Sequence, residues 1–296
     1  DKISVRQVLV LLFTALLSPM VRALPAWTAA TAGEGAWLTG LLAFPVLLAM
    51  GWIFRGLFHA APADSGLAQI FQTVLGKVLG GGLTIRYGIW ALFVLCLQAR
   101  LYGERMLATG YRNASVTVFL AVLLALVLWM GRKKLSAFTR ATEVFYLALA
   151  LALGLVLAVS IQDLTPENVL PVWVSDLPGA AAATLVPLGV AGAGVFMAFL
   201  GGQITVVEGD RRRCVRWLAA GCLVMAALQF AVLGQLGPDL SAQLEEPFFE
   251  VARGVGINGA FQRVESVVVA LWAFSDLALL GLLVFACRNM SETLWG

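Results

Sequence analysis

The residues with chemistry to offer stand inside apolar runs, where a charge or a backbone breaker needs a reason. In FQRVESVVVALWAFSDLALLGLLVFAC, Glu265, Trp272 and Asp276 occur at i, i+7 and i+11. At about 100° per residue they fall within a narrow arc of one helical face, while Arg263 points the other way. Asp276 lies near the middle of the run and Glu265 nearer its start. A carboxylate there can hold a proton, pair with a substrate amine or neutralise an arginine, and a structural ion pair fits equally well. Ser275 beside it offers a neutral ligand. In LLFTALLSPMVRALP, Ser18-Pro19 interrupts the run and Arg22 follows three residues later. That guanidinium can bind a substrate carboxylate or snorkel to the interface. Tyr87, Gln98 and Arg105 share one face of a further run, and Arg100 and Glu104 form an i, i+4 pair on another. Finally, Pro187, Gly189, Gly192 and Gly194 cluster in TLVPLGVAGAGVF.

None of this is the chemistry of an enzyme. The sequence shows no nucleophile–base pair, metal cluster or phosphate loop. There is one histidine, His59, and the four cysteines contain no CxxC pair, so neither a metal nor another cofactor is expected.

The elements that position these residues follow from composition. Apolar residues make up 60% of the 296, charged residues 12%, and the mean hydropathy is +0.90. A chain this poor in charge cannot cover a water-facing surface, and disordered chains are the reverse, charge-rich and apolar-poor. The expected fold is therefore all-α, a polytopic helical membrane protein forming a single transmembrane domain over 1–296. A span needs about 20 mostly apolar residues, and eight stretches qualify: 5–25, 36–57, 83–108, 116–130, 142–160, 181–204, 214–233 and 261–287. The first has no small-residue cleavage site after it and reads as a span rather than a signal peptide. The net charge of +3 offers no nucleic-acid surface.

Loop charges set the orientation. Arg132, Lys133 and Lys134 follow span 4, and Arg211, Arg212, Arg213 and Arg216 follow span 6. The loop after span 5 has no Lys or Arg, and the one after span 7 is acidic. By the positive-inside rule both termini are expected in the cytoplasm. The exception is the loop after span 3, which would place Arg105 and Arg112 outside. Between spans 2 and 3, Leu67, Ile70, Phe71, Val74, Leu75 and Val78 follow one helical face behind the cap residues Asp64 and Ser65. This is expected to be a helix lying on the interface or packed against the bundle. The RRRCVR run at 211–216 reads as an orientation signal and headgroup contact.

Spans 1 and 6, which carry the breakers, match the positions that open the two five-span repeats of transporters with inverted-repeat architecture, which would make 1–160 a first repeat and 181–288 a partial second. Paired discontinuous helices at matching positions point to a midplane substrate site. Pro and Gly are also common in membrane helices as simple kinks or close-packing points.

Several stretches carry a family resemblance: ISVRQVLVLLFTALLSP, VLGKVLGG at 74–81, the approach to span 5 with Arg140 and Glu143, and above all PFFEVARGVGINGAFQRVESVVVALW at 247–272 with Arg263, Glu265 and Trp272. They resemble the GerAB-type spore germination permeases, the B subunits of nutrient germinant receptors, within the amino acid–polyamine–organocation superfamily. The resemblance implies a LeuT-like inverted-repeat core, incomplete here at its C-terminal part because the family has about ten spans. It also implies an amino acid or similar nutrient bound between broken spans 1 and 6 and flanking spans 3 and 8. A- and C-type receptor subunits would be partners in the spore inner membrane. The ligand-binding residues expected on this reading are Ser18, Pro19, Arg22, Tyr87, Gln98, Pro187, Gly189, Gly192, Gly194, Glu265, Trp272, Ser275 and Asp276. A proton- or cation-coupled amino acid permease is the alternative, with Asp276 or Glu265 as the coupling group, and a ligand-free scaffold is a third.

Overall fold

The structure is a computed structural model that describes residues 2–62, 64–109, 115–254 and 264–295, with the side chains at 108, 109 and 264–271 outside the description. In chain order the helices are α1 (Val5–Ala32), α2 (Leu38–Ala60), α3 (Leu67–Thr109), α4 (Val116–Gly131), α5 (Leu135–Ser160), α6 (Leu177–Ala183), α7 (Leu185–Gly192), α8 (Val195–Ala198), α9 (Asp210–Leu236), α10 (Pro238–Gln243), α11 (Pro247–Gly254) and α12 (Val264–Trp295). Two short strands, β1 (Ile3–Ser4) and β2 (Ile204–Thr205), pair in parallel. Among the described residues, all eight expected spans are helical segments of a polytopic membrane bundle, with span 6 divided among α6, α7 and α8 and span 8 described from Val264 onward. α4 has 16 residues, about 24 Å of rise against a hydrocarbon core of about 30 Å, so the short fourth span is real.

Contacts between loops sort the bundle into two ends. At one, β1 pairs with β2, Lys2 meets Asp64 at 2.7 Å, Arg6 meets Glu143 at 2.7 Å, and Gln72 donates to the Thr293 carbonyl. This terminal end gathers both chain ends and the connections after spans 2, 4 and 6. At the opposite, distal end, the Trp37 indole donates to Val169 O, the Thr165 amide to Gly234 O, and Gln235 to Ser160 O. An even number of crossings follows directly.

α1 runs through the centre. Ser4 caps it and Gln7 returns the bond, the reciprocal arrangement of a capping box. One core packs Leu11 and Ala15 of α1 against Leu279, Leu282 and Leu283 of α12 and Phe138 of α5. A second joins Leu17 and Val21 to Leu149, Leu228, Phe248 and Trp272. Because lipid tails are as apolar as these side chains, close packing rather than burial from water holds such helices together. Gly40 on α2 shows it: a Cβ there would sit 2.7 Å from the Ala226 amide nitrogen of α9.

The amphipathic stretch before span 3 is helical from Leu67, as expected, and folds back at Gly76, whose φ of 79° suits glycine. Leu67 and Ile70 are buried, while Val74, Leu75 and Val78 are exposed. Asp64 does not act as the cap; it pairs with Lys2, and the Gly66 amide bonds Gln69 instead.

Candidate functional site

The two expected breaks have different fates. α1 is continuous through Pro19, contrary to the expectation of a discontinuous span 1. The reason lies in α12: the Ser275 hydroxyl donates to Thr14 O at 2.6 Å and accepts from the Ser18 amide at 2.8 Å. It therefore bridges an i, i−4 pair of α1 and keeps both groups bonded beside the proline, a known way for a helix to absorb a local opening. Span 6 is interrupted. Between α7 and α8 the Ala193, Gly194, Phe196 and Met197 amides bond carbonyls three residues back, at 3.2, 2.8, 3.3 and 3.0 Å. The chain tightens into 3-10-type turns, so backbone groups are satisfied locally rather than left open.

A buried polar cluster is built on α1, α3, α12 and the start of α11. Nη1 of Arg105 bonds Asp276 Oδ2 at 3.1 Å and Ser18 Oγ at 3.1 Å, while its Nε reaches Glu246 Oε1 at 3.2 Å. The side chains of Arg105 and Asp276 are 4% and 2% exposed. Arg22, one turn beyond Ser18, donates from Nη2 to Gln98 Oε1 at 3.2 Å, and its Nη1 is buried without a hydrogen-bond partner among the described residues. Two guanidinium groups and two carboxylates thus share one pocket, formally neutral in sum. A small cavity of about 10 Å³, room for about one water, lies among Ser18, Val21, Arg22, Arg105, Phe248 and Trp272. Phe248 packs on Trp272 with ring centroids 5.2 Å apart. On the distal side, a polar vestibule of about 640 Å³ is lined by Arg22, Glu104, Arg105, Glu245, Glu246 and Glu250. Arg22, Arg105, Glu246 and Phe249 border both spaces, so the Arg105–Glu246 contact stands as the partition.

The other face of α1 meets a second space. A hollow of about 700 Å³ opens among α1, α2, span 6 and α9, bounded by Leu12, Leu16, Met20, Phe54, Pro187 and Trp217. Its walls are almost wholly apolar.

The expected site residues therefore divide. Ser18, Arg22, Gln98, Ser275 and Asp276 come together in the cluster, with Trp272 in its wall and Pro19 buried beside Ser18. Tyr87, Pro187, Gly192 and Gly194 line the apolar hollow instead. Tyr87 stacks on Phe71 at 5.8 Å, eleven residues and about 16 Å of helix rise from Gln98. Gly189 is exposed on the outside of span 6, with open space where a Cβ would stand. The Glu265 side chain and Arg263 lie outside the described residues, as does Arg112. Arg100–Glu104 forms as expected at 2.6 Å, and Arg140 is exposed while Glu143 pairs with Arg6.

Arg105 and Glu246 were not among the expected ligands, and both are central. The signal for Arg105 was its place as an exception to the charge bias, on the same face as Gln98. Its neutralisation by Asp276 and Glu246 explains how it is tolerated there. Glu246 sits in a loop, and nothing in its local sequence points inward.

Comparison with known proteins bears on this arrangement. Residues 2–294 match the family described as Spore germination protein, the spore permeases. A curated relative, Spore germination protein KB of Bacillus subtilis, is 25% identical over 178 residues, which is 60% of this chain and 47% of that protein. The chain thus spans about half the length of the curated relative it matches.

Proposed function

We propose, from the premise that this chain belongs to the spore germination permease family, that it is the membrane-embedded nutrient-binding subunit of a germinant receptor and that an amino acid is its ligand. The observation that carries this reading is the buried, unpartnered Nη1 of Arg22 in a pocket that otherwise pairs its charges. A carboxylate meets that donor with a charge-assisted bond. The ammonium of the same molecule finds Glu246 or Asp276 near by. A zwitterion leaves the net charge of the site unchanged, whereas an anion or a cation alone adds a buried charge without compensation. Among small nutrients this favours amino acids.

The cavity as it stands admits about one water, so the ligand enters from the distal vestibule after the Arg105–Glu246 contact opens. Differential affinity for the open and closed arrangements is then the lever by which the ligand acts. With the terminal end in the cytoplasm of a spore inner membrane, the vestibule faces outward, and A- and C-type subunits complete the receptor. Of the residues expected from the sequence, Ser18, Arg22, Gln98, Trp272, Ser275 and Asp276 hold or shape the pocket. Tyr87, Pro187, Gly192 and Gly194 line the hollow into which span 6 moves.

The test is thermal unfolding of the purified protein against each amino acid. One or a few should raise the midpoint, and Arg22→Gln should weaken that response at least tenfold, about 1.4 kcal/mol, while leaving the unliganded midpoint close to wild type. No stabilisation by any amino acid overturns the reading. A coupled permease is the second reading, favoured by the mid-span Asp276–Arg105 pair, since a buried carboxylate with a releasable partner is what proton coupling requires. Counterflow of a labelled amino acid in proteoliposomes, lost in Asp276→Asn, distinguishes it.

A further inference from the structure

A cleft of about 540 Å³ runs between α5 and α9, away from the polar cluster, sharing Phe13, Trp217 and Gly221 with the apolar hollow. Its mouth carries Arg213 and Arg216 at the terminal end, and its depth is lined by Ala150, Gly154, Leu157, Ala220, Gly221 and Val224. Arg213 shares a bond of 2.7 Å with Asp210, but Arg216 has no ion pair among the described residues. Arg211 and Arg212 stand exposed beside them. Between the basic mouth and the apolar depth, Phe13, Tyr146 and Trp217 form a ring cluster, with centroids 5.4, 5.5 and 6.4 Å apart. Aromatic side chains of this kind suit the headgroup level of a bilayer.

We propose that this cleft is a binding site for one anionic phospholipid, its phosphate held by Arg213 and Arg216 and one acyl chain lying along the strip of small residues between α5 and α9. Three observations fit that occupant together. The cleft is open to the membrane side of the bundle rather than enclosed. Its charge is confined to one end, as in a lipid. The small residues leave a furrow: a Cβ at Gly154 or at Gly221 would meet nothing within 4 Å. Basic pockets between transmembrane helices bind anionic headgroups by the same physics, and Arg offers a planar, bidentate match to phosphate. A soluble phosphate uses the mouth alone and gives no account of the furrow.

The test uses the whole chain in neutral detergent, titrated with phosphatidylglycerol or with phosphatidylcholine of identical acyl chains. Native mass spectrometry and thermal unfolding provide the readouts. Phosphatidylglycerol should be retained at one copy and raise the unfolding midpoint, with phosphatidylcholine retained at least fivefold less. The double variant Arg213→Gln/Arg216→Gln should lose that preference. Gly154→Leu/Gly221→Leu fills the furrow without touching charge, and it should abolish retention while its lipid-free midpoint stays within 2–3 °C of wild type by the open space at both positions. Wild-type retention in the leucine variant reduces the effect to surface attraction and overturns the proposal. So do equal binding of phosphatidylcholine, displacement by glycerol phosphate as effective as by lipid, and a polypeptide rather than a lipid as the retained mass.

Discussion

Asp276 and Ser275 are neighbours on α12 with separate tasks, and each task makes a prediction. Asp276 is the fully buried partner of Arg105, and removing one member of such a pair leaves the other charged and desolvated. Asp276→Ala is expected to destabilise by about 3–5 kcal/mol, measured by denaturant unfolding in detergent, and Asp276→Leu combined with Arg105→Met should restore much of that loss. A double variant no better than the single one contradicts the pairing as the source of the cost. Ser275 bridges Thr14 O and the Ser18 amide. Ser275→Ala should cost about 1 kcal/mol and speed hydrogen exchange at the Ser18 amide while leaving distant α1 amides unchanged. An unaltered exchange rate at Ser18 would show that the hydroxyl is not what keeps the helix whole beside Pro19.

At the scale of the element, α1 and span 6 answer the same strain differently. In α1 a side chain from another helix repairs the ladder, so the rod persists over 28 residues. In span 6 no side-chain hydroxyl among the described residues bonds the backbone at Gly192–Gly194, and the chain tightens and then ends in β2, pinned to β1 at the head of α1. The two halves of the expected site are thereby joined by backbone at the terminal end, so a shift of span 6 pulls on the start of α1. Close helix contact is the other determinant at this scale. Gly40→Leu should destabilise by about 1–3 kcal/mol, because its Cβ position is already occupied by α9 backbone. Gly56→Leu on the same helix meets open space and should show only the helix-propensity gain, about 0.5–1 kcal/mol. Comparing the two unfolding midpoints separates packing from helix propensity, which is the same change in both.

For the whole molecule, the loop contacts already place both termini at one end, and the arginine-rich connections lie there too. In a cysteine-free background, Ser4→Cys and Thr293→Cys should be protected from an impermeant maleimide in intact cells, while Asp239→Cys at the distal end should react. The reverse labelling pattern inverts the orientation and with it the side of the membrane that the vestibule faces. The two spaces flanking α1 differ in kind. The distal vestibule and cluster are polar, and the hollow toward span 6 is apolar. A ligand with both charged and apolar parts is served by such a pairing only if α1 or span 6 moves.

Much of this was legible before any coordinates. Eight apolar runs, their charge bias, the breaker cluster in span 6 and the shared face of Trp272 and Asp276 follow from residue type and helical period, which are local properties. Family membership was legible for the same reason, in contiguous stretches such as 247–272. What the tertiary structure alone decided is which group satisfies which. Whether Pro19 opens α1 depends on a hydroxyl 257 positions away. The partner of Asp276 is an arginine 171 positions earlier in the chain. Glu246 enters the site because a distal loop folds over it. A buried charge or a freed amide in a membrane must be satisfied by something, but the sequence names only the need; the packing of distant helices supplies the partner.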